Sequence, residues 1–151
     1  ANPDGGDFMG GFAPNNPEGL AIAKTQLQAG ADVILPVGGN QFTSVQSAID
    51  ELNPDAAMLG VDVDIAAGNP DLAKYILTSI EKRMTIATFD VIKGLVDGAA
   101  FDATPYVGTF ANKGVGITAF TDFSSKVSSG LADKLVELEA GIIDGTYKPK
   151  G

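Results

Sequence analysis

Four short stretches of this sequence carry groups able to grip a polar ligand, and each falls where a strand-like run stops. Asp62 and Asp64 lie at the end of the apolar run Ala56-Ala57-Met58-Leu59-Gly60-Val61. Phe12 ends the run that starts at Phe8, Gly38-Gly39-Asn40 ends the run from Asp32 to Val37, and Lys82 follows the β-rich run Tyr75 to Ile80. In parallel α/β sheets, ligands sit outside the carboxyl ends of the strands. The four ends are therefore expected along one rim: Phe12, Gly38-Gly39-Asn40, Asp62-Val63-Asp64 and Ser79 to Lys82. A carboxylate there can accept hydrogen bonds from two adjacent hydroxyls, and charge-assisted bonds are stronger than neutral ones. A phenyl ring stacks on a flat partner. Glycines let the backbone approach closely, and Lys82 adds an ammonium. The set suits a polyhydroxylated ligand with a flat ring.

Each residue also has a plainer reading. Phe12 could be core, and Gly38-Gly39 could be only a turn. Asp62 and Asp64 are expected on opposite faces, one as ligand group and the other as a cap or solvated charge. Lys82, within Glu81-Lys82-Arg83, could be a solvated surface charge. No single stretch is specific; their common placement at strand ends is the signal.

The elements needed to position these residues are legible in the hydrophobic pattern. Asn16, Pro17 and Glu18 form a helix start, Leu20, Ala23, Leu27 and Ala31 follow at helical spacing, and Gly30 closes the helix. Asp32 to Val37 is a buried-strand pattern. Thr43 or Ser44 caps a second helix with an inward stripe of Val45, Ala48, Ile49 and Leu52, stopped at Asn53-Pro54. Strands are expected over Phe8–Phe12, Ala56–Asp64 and Tyr75–Ile80, with a loop over Ile65–Leu72. Met84 to Phe101 is expected to be helical, with Phe89, Ile92, Val96 and Ala99 on one face and Asp90, Lys93 and Asp97 opposite. Two short strands, Tyr106–Phe110 and Val115–Phe120, flank a turn at Asn112-Lys113-Gly114. The last helix runs from Ser124 to Asp144, with a stripe of Val127, Leu131, Leu135, Leu138 and Ile142. This alternation predicts an α/β fold: a three-layer α-β-α arrangement around a mostly parallel sheet.

Composition narrows the chemistry. The chain has 151 residues, 44% apolar and 19% charged, enough for one domain with a core. Its net charge of −9 argues against nucleic acid and anionic lipid as partners. It has neither cysteine nor histidine, which removes thiolate chemistry, the commonest general base and the commonest metal ligand. Asp62-Val63-Asp64 begins like a calcium loop, but Ala66 stands where the third oxygen ligand belongs. No phosphate loop, dinucleotide fingerprint or nucleophile elbow occurs. No cofactor and no metal are implied. The opening Ala1-Asn2-Pro3-Asp4-Gly5-Gly6 shows no signal-peptide pattern and no initiator Met, as expected of a processed product or an excised piece.

Gly30-Ala31-Asp32-Val33-Ile34, Gly60-Val61-Asp62-Val63-Asp64, Ile76-Leu77-Thr78-Ser79-Ile80-Glu81-Lys82-Arg83 and Gly114-Val115-Gly116 occur in that order. Their order and spacing resemble the basic membrane protein family of bacterial lipoproteins, nucleoside-binding components of ABC transporters typified by the purine nucleoside receptor. The similarity spans nearly all of residues 1–151 but only the second half of a family member. It implies one lobe of a type I periplasmic-binding-protein fold, in which two α/β lobes close on a ligand. It implies that Phe12 stacks on the nucleobase, that Asp62, with Asp64 as the alternative register, holds ribose hydroxyls, that Lys82 lines the site, and that Gly38 and Gly39 lie near the base. Ile65 stands where many members carry Gln after Asp-x-Asp, and Asn16-Pro17 replaces the usual Asp-Pro; both departures bear on base preference.

The resemblance further implies an extracytoplasmic place, periplasmic or lipid-anchored at the outer face of the membrane, and a permease partner in the full-length protein. The segment 84–101 would be the helix that returns to the first lobe, and without that lobe its apolar face favours self-association. The leading function is thus a non-catalytic solute-binding lobe for a nucleoside, with purine expected. The alternatives are a ligand-sensing regulatory lobe and, less favoured with Asp62 and Asp64 expected apart, a sugar-processing α/β enzyme.

Overall fold

The structure, a computed structural model, describes residues 7–149, so the opening Ala1 to Gly6 lies outside the described residues. Helix α1 (Pro17–Gln28) begins as the sequence dictates. Asn16 takes extended dihedrals, its Oδ1 accepts the Glu18 and Gly19 amides, and Pro17 occupies the first helical position. The helix ends where Gly30 enters the left-handed region at φ 93° and Ala31 N donates to Gln26 O at 3.0 Å. Helix α2 (Phe42–Leu52) packs against α1, with Val45, Ala48 and Ile49 buried. It starts earlier than a Thr43 or Ser44 cap predicts: Gln41 holds the cap position without a side-chain cap bond. Thr43 Oγ1 donates to Asn40 O, and buried Ser44 donates to Asn16 O, tying the two helix starts together.

The sheet has four strands in the order β1 (Val33–Ile34), β2 (Ala57–Asp62), β3 (Ile76–Lys82) and β4 (Val115–Ile117). β1, β2 and β3 are parallel, and β4 is antiparallel to β3. This is the mixed α/β, mostly parallel open sheet flanked by helices that the alternating pattern predicts. The core gathers where α1, α2 and the sheet meet, around Ala23, Leu27, Ile34, Val45, Ile49, Met58 and Ile76.

Several boundaries differ from the sequence pattern. Phe8–Phe12 forms no strand; Gly10, at φ 69°, interrupts it, and it has no ladder partner among the described residues. Only Val33 and Ile34 of the run Asp32–Val37 pair with β2. The expected loop Ile65–Leu72 contains the short helix α3 (Ile65–Gly68) and the start of a 3-10 turn over Pro70–Tyr75. Tyr75 therefore precedes β3, its hydroxyl donating to Asp50 Oδ1 at 2.6 Å. Tyr106–Phe110 is not a strand, because Asn112 captures its backbone: Asn112 Nδ2 donates to Val107 O and Asn112 Oδ1 accepts Thr109 N. Helix α5 (Leu131–Asp144) starts later than Ser124, after a 3-10 turn over Thr121–Phe123, and Gly145 ends it at φ 82°. The expected stripe positions on α5, Leu131, Leu135, Leu138 and Ile142, are its half-buried ones.

Helix α4 (Met84–Val96) is shorter than 84–101 and has no buried residue. Gly98, at φ 92°, stops it. Phe89 is 62% and Val96 80% exposed, so the apolar face predicted from spacing faces solvent in these 151 residues. Tyr106 reaches back to donate its hydroxyl to Asp90 at 2.8 Å, and that carboxylate raises the phenol's pKa above its usual value. No helix among the described residues is long and apolar enough to cross a membrane.

The tightest point of the sheet is Gly60. A Cβ there would come within 2.8 Å of Ser79 Cβ and 2.9 Å of Ile65 Cγ1. Ser79 is fully buried and its Oγ accepts Ile65 N at 3.2 Å, so it cannot swing aside without stranding that amide. Gly60→Ala is predicted to destabilise the chain by about 2 kcal/mol through overpacking. Urea unfolding measures this, and a loss below about 0.5 kcal/mol would show that the two strands separate freely there.

Candidate functional site

The carboxyl end of β2 is shaped by one backbone angle. Asp62 lies at φ 73°, in the left-handed region that few residues other than glycine occupy and that Asp and Asn tolerate best. This turn ends the strand at Asp62. Asp62 and Asp64 both line one hollow of about 330 Å³, together with Val63, Glu81, Lys82, Arg83 and the first residues of α4. The expectation that they face opposite sides is corrected here: residues two apart on an extended chain share a face, and past the turn at Asp62 both still reach the same hollow.

The two carboxylates have different roles. Asp64 caps α3, its Oδ1 accepting Ala67 N at 3.0 Å, which is the structural role foreseen for one of the pair. Asp62 Oδ1 lies 2.6 Å from Lys82 Nζ. That oxygen is shielded from solvent, yet no described residue gives it an aligned hydrogen bond, so the ammonium holds it by charge alone. Beside it, Glu81 stands in register with Asp62 across the β2–β3 ladder. Like charges at neighbouring positions repel, and here each is offset by its own cation. Arg83 Nε and its second guanidinium nitrogen lie 3.1 and 3.0 Å from Glu81 Oε2. Buried Gly116 makes room for that guanidinium, because a Cβ there would come within 2.6 Å of Arg83 Cζ. α4 opens on the hollow with no side-chain cap at Arg83, so its positive dipole end faces the carboxylates.

Phe12, Gly38 and Gly39 lie together elsewhere. Phe12 is 78% exposed, which removes its reading as core. Gly38 and Gly39 take φ 151° and 63°, and a Cβ on Gly38 would stand 3.5 Å from the Phe12 ring. The two glycines thus let the Phe12 segment close against the end of β1. Phe12 lines a second, apolar hollow of about 560 Å³ with Met9, Ile22, Leu35 and Val37, and this hollow shares no lining residue with that of Asp62. Asn40 lines neither; its carbonyl accepts from Thr43. The single rim expected from the sequence is therefore two separate hollows, one at the carboxyl ends of β2 and β3 and one beside α1 and β1. Glu81 and Arg83 were not singled out by sequence; their signal was the two-residue spacing at the end of a strand, which put them beside Asp62. Among the described residues, no three or more Asp or Glu side chains gather closely enough to hold a metal ion.

No protein-family model and no curated protein matches the chain. Solved structures do. An ABC transporter solute-binding protein from Aeropyrum pernix K1 matches with a TM-score of 0.73 at 20% identity, covering 96% of this chain and 48% of that one. A transcriptional activator of the comK gene from Bacillus halodurans matches with a TM-score of 0.74 at 20% identity, covering 93% of this chain and 46% of that one. An ABC transporter solute-binding protein from Conexibacter woesei DSM 14684 matches with a TM-score of 0.68 at 18% identity, covering 88% and 42%. The chain thus spans about half the length of these structures and shares their fold.

The division of labour at the hollow makes a stability test. Asp64→Ala is predicted to cost about 1 kcal/mol through the lost cap. Asp62→Asn, which breaks only a partly exposed ion pair and keeps a side chain tolerant of the left-handed region, should change stability by less than about 0.5 kcal/mol. Thermal unfolding of both variants decides; the reverse ranking would give Asp62 the structural role.

Proposed function

We propose that the chain is the ligand-holding lobe of an extracytoplasmic solute-binding protein serving an ABC importer, and that it binds without catalysis. The observation that carries this reading is Asp62 Oδ1. It is an acceptor screened from water and held by the Lys82 ammonium at 2.6 Å without an aligned hydrogen bond, on a residue that lines a hollow, and such groups are uncommon unless a ligand or water completes them. A hydroxyl donor completes it well, and the second oxygen of the same carboxylate can take a neighbouring hydroxyl. Lys82 then acts as both counter-ion and donor. Support for the transport role comes from the shared fold with two ABC transporter solute-binding proteins.

The finer proposal is a nucleoside, purine by preference, as the resemblance to the basic membrane protein family suggests. Ribose hydroxyls would meet Asp62 and Lys82. The exposed ring of Phe12, across Gly38-Gly39, would cover the base, with Asn40 at the edge of that group. Three carboxylates line the hollow against two cations, and both cations are already engaged, so a phosphorylated ligand is disfavoured.

Calorimetry on the full-length protein tests this with adenosine, guanosine, a 2′,3′-dideoxynucleoside and AMP. The ribonucleosides are expected to bind best. Asp62→Ala should cost about 2–4 kcal/mol, roughly 30- to 700-fold in Kd, because it removes a charge-assisted acceptor. Unchanged affinity removes Asp62 from the site, and equal affinity for the dideoxynucleoside removes hydroxyl recognition.

The lobe assignment adds a second consequence. The segment 84–101, with α4 at its core, is proposed to pack on a first lobe outside residues 1–151. Its exposed Phe89, Ile92 and Val96 should make the 151-residue chain self-associate. Light scattering should show a mass that rises with concentration, and Phe89→Glu should return it to the monomer. A monomer at millimolar concentration would count against this role for α4.

A further inference from the structure

The apolar hollow beside β1 holds one polar group that ligand recognition at Asp62 does not use. Gln41 stands at the cap position of α2, yet its side chain caps nothing. It turns inward instead, is 1% exposed, and its Nε2 donates to Ala13 O at 2.9 Å. The other end of the amide is unpaired. Gln41 Oε1 is shielded from solvent and has no hydrogen-bond partner among the described residues. Flipping the amide does not help, because Ala13 O accepts only from a donor. The nearby donors are committed elsewhere. Ser44 Oγ lies in the same corner, but its hydroxyl donates to Asn16 O at 3.2 Å, and the Gly19 amide donates to Asn16 Oδ1. A buried acceptor without a donor is costly, and native structures leave few of them.

Oε1 stands at the wall of the hollow. A Cβ on Gly19 would lie 3.1 Å from Oε1 and 3.4 Å from Met9 Sδ, and Gly19, Met9 and Gln41 all line the space of about 560 Å³. Glycine at position 19 keeps that corner free of a side chain on the α1 side. Met9 shares the corner, and its unbranched thioether can swing aside to admit a donor. The other walls are mainly apolar, with Ile22, Ile34 and Val45 among them. The single charged lining residue, Asp7, already accepts Gln26 Nε2 at 2.8 Å. Apolar spaces of this size with a few fixed polar groups are where small molecules bind. We propose that this hollow is a second small-molecule site, which takes a neutral apolar ligand carrying one N–H or O–H donor and pairs that donor with Gln41 Oε1. An anion finds no cation in the lining, and an ammonium would exchange its hydration for one free amide oxygen. The site goes beyond the nucleoside reading: of the residues in that reading, Phe12 alone lines this hollow.

The chain has no tryptophan, so the emission of 2-naphthol can be followed in its presence. This probe is apolar with a single O–H, and it is expected to bind saturably at one site per chain. 2-Methoxynaphthalene has the same rings without the donor. It should bind about tenfold more weakly, because it covers Oε1 and leaves it unpaired. Gln41→Met keeps the length and bulk of the side chain but removes the acceptor, and it should erase the difference between the two probes. Should that variant fail to fold, the comparison of the two probes on the unaltered chain still decides. Absence of saturable binding, equal affinity for both probes, or a tenfold difference that survives Gln41→Met would each overturn the proposal. Neither probe carries the paired hydroxyls assigned to Asp62, so failure here leaves the nucleoside reading standing.

Discussion

The left-handed backbone at Asp62 is the constraint on which the site depends. A non-glycine residue in that region costs of order 1–3 kcal/mol and persists only where its surroundings over-determine it. The surroundings here are specific. Gly60 lets β2 and β3 approach closely, buried Ser79 fills the space, and its hydroxyl fixes the amide of Ile65 just beyond the turn. The chain must leave the strand at Asp62 and enter α3 at Ile65, with only two residues between. A strand continuing to Asp64 would leave α3 without its cap. The same backbone turn therefore seats the helix that follows it.

Charge at the hollow is closely paired. The chain is strongly acidic, yet at the hollow each carboxylate has a defined counterpart: Lys82 for Asp62, Arg83 for Glu81 and the α3 amide for Asp64. Of these, only Asp62 combines a mostly exposed cation with a shielded acceptor oxygen. A ligand hydroxyl can displace or share Lys82 at little cost, since an exposed ion pair contributes little. Displacing Ala67 N from Asp64 would uncap a helix. The geometry thus separates two carboxylates that look equivalent in sequence, and the proposed binding role falls to Asp62.

Much of the fold was legible because it depends on local rules. The Asn16-Pro17 start, the Gly30 stop and the Gly145 stop act within a turn of themselves, and the stripes of α2 and α5 follow a period that burial respects, apart from the exposed Leu52 at the end of α2. The strands β2 and β3 announced themselves as apolar runs that both faces bury. The misses share a cause: each needed a partner. Phe8–Phe12 and most of Asp32–Val37 have strand composition but lack the neighbour that would make them strands. Tyr106–Phe110 also has strand composition, but the side chain of Asn112 takes its backbone groups. The single rim failed for a related reason. Sequence supplies the order of strand ends, but not the backbone angle that sets Asp62 beside Lys82 in a hollow separate from that of Phe12.

These failures and the exposed surfaces belong together. β1 offers an unpaired apolar edge, and α4 offers an apolar face with nothing against it. A self-sufficient domain of this size hides both kinds of surface, because each is a site for unwanted association. Both surfaces coexist with a well-packed centre around Met58, Ile49 and Ile76. An α/β enzyme built on Asp62 and Asp64 would need both carboxylates free to act on one reacting centre, and Asp64 is committed to the backbone of α3. For the binding role proposed above, a single available acceptor would be sufficient for grip.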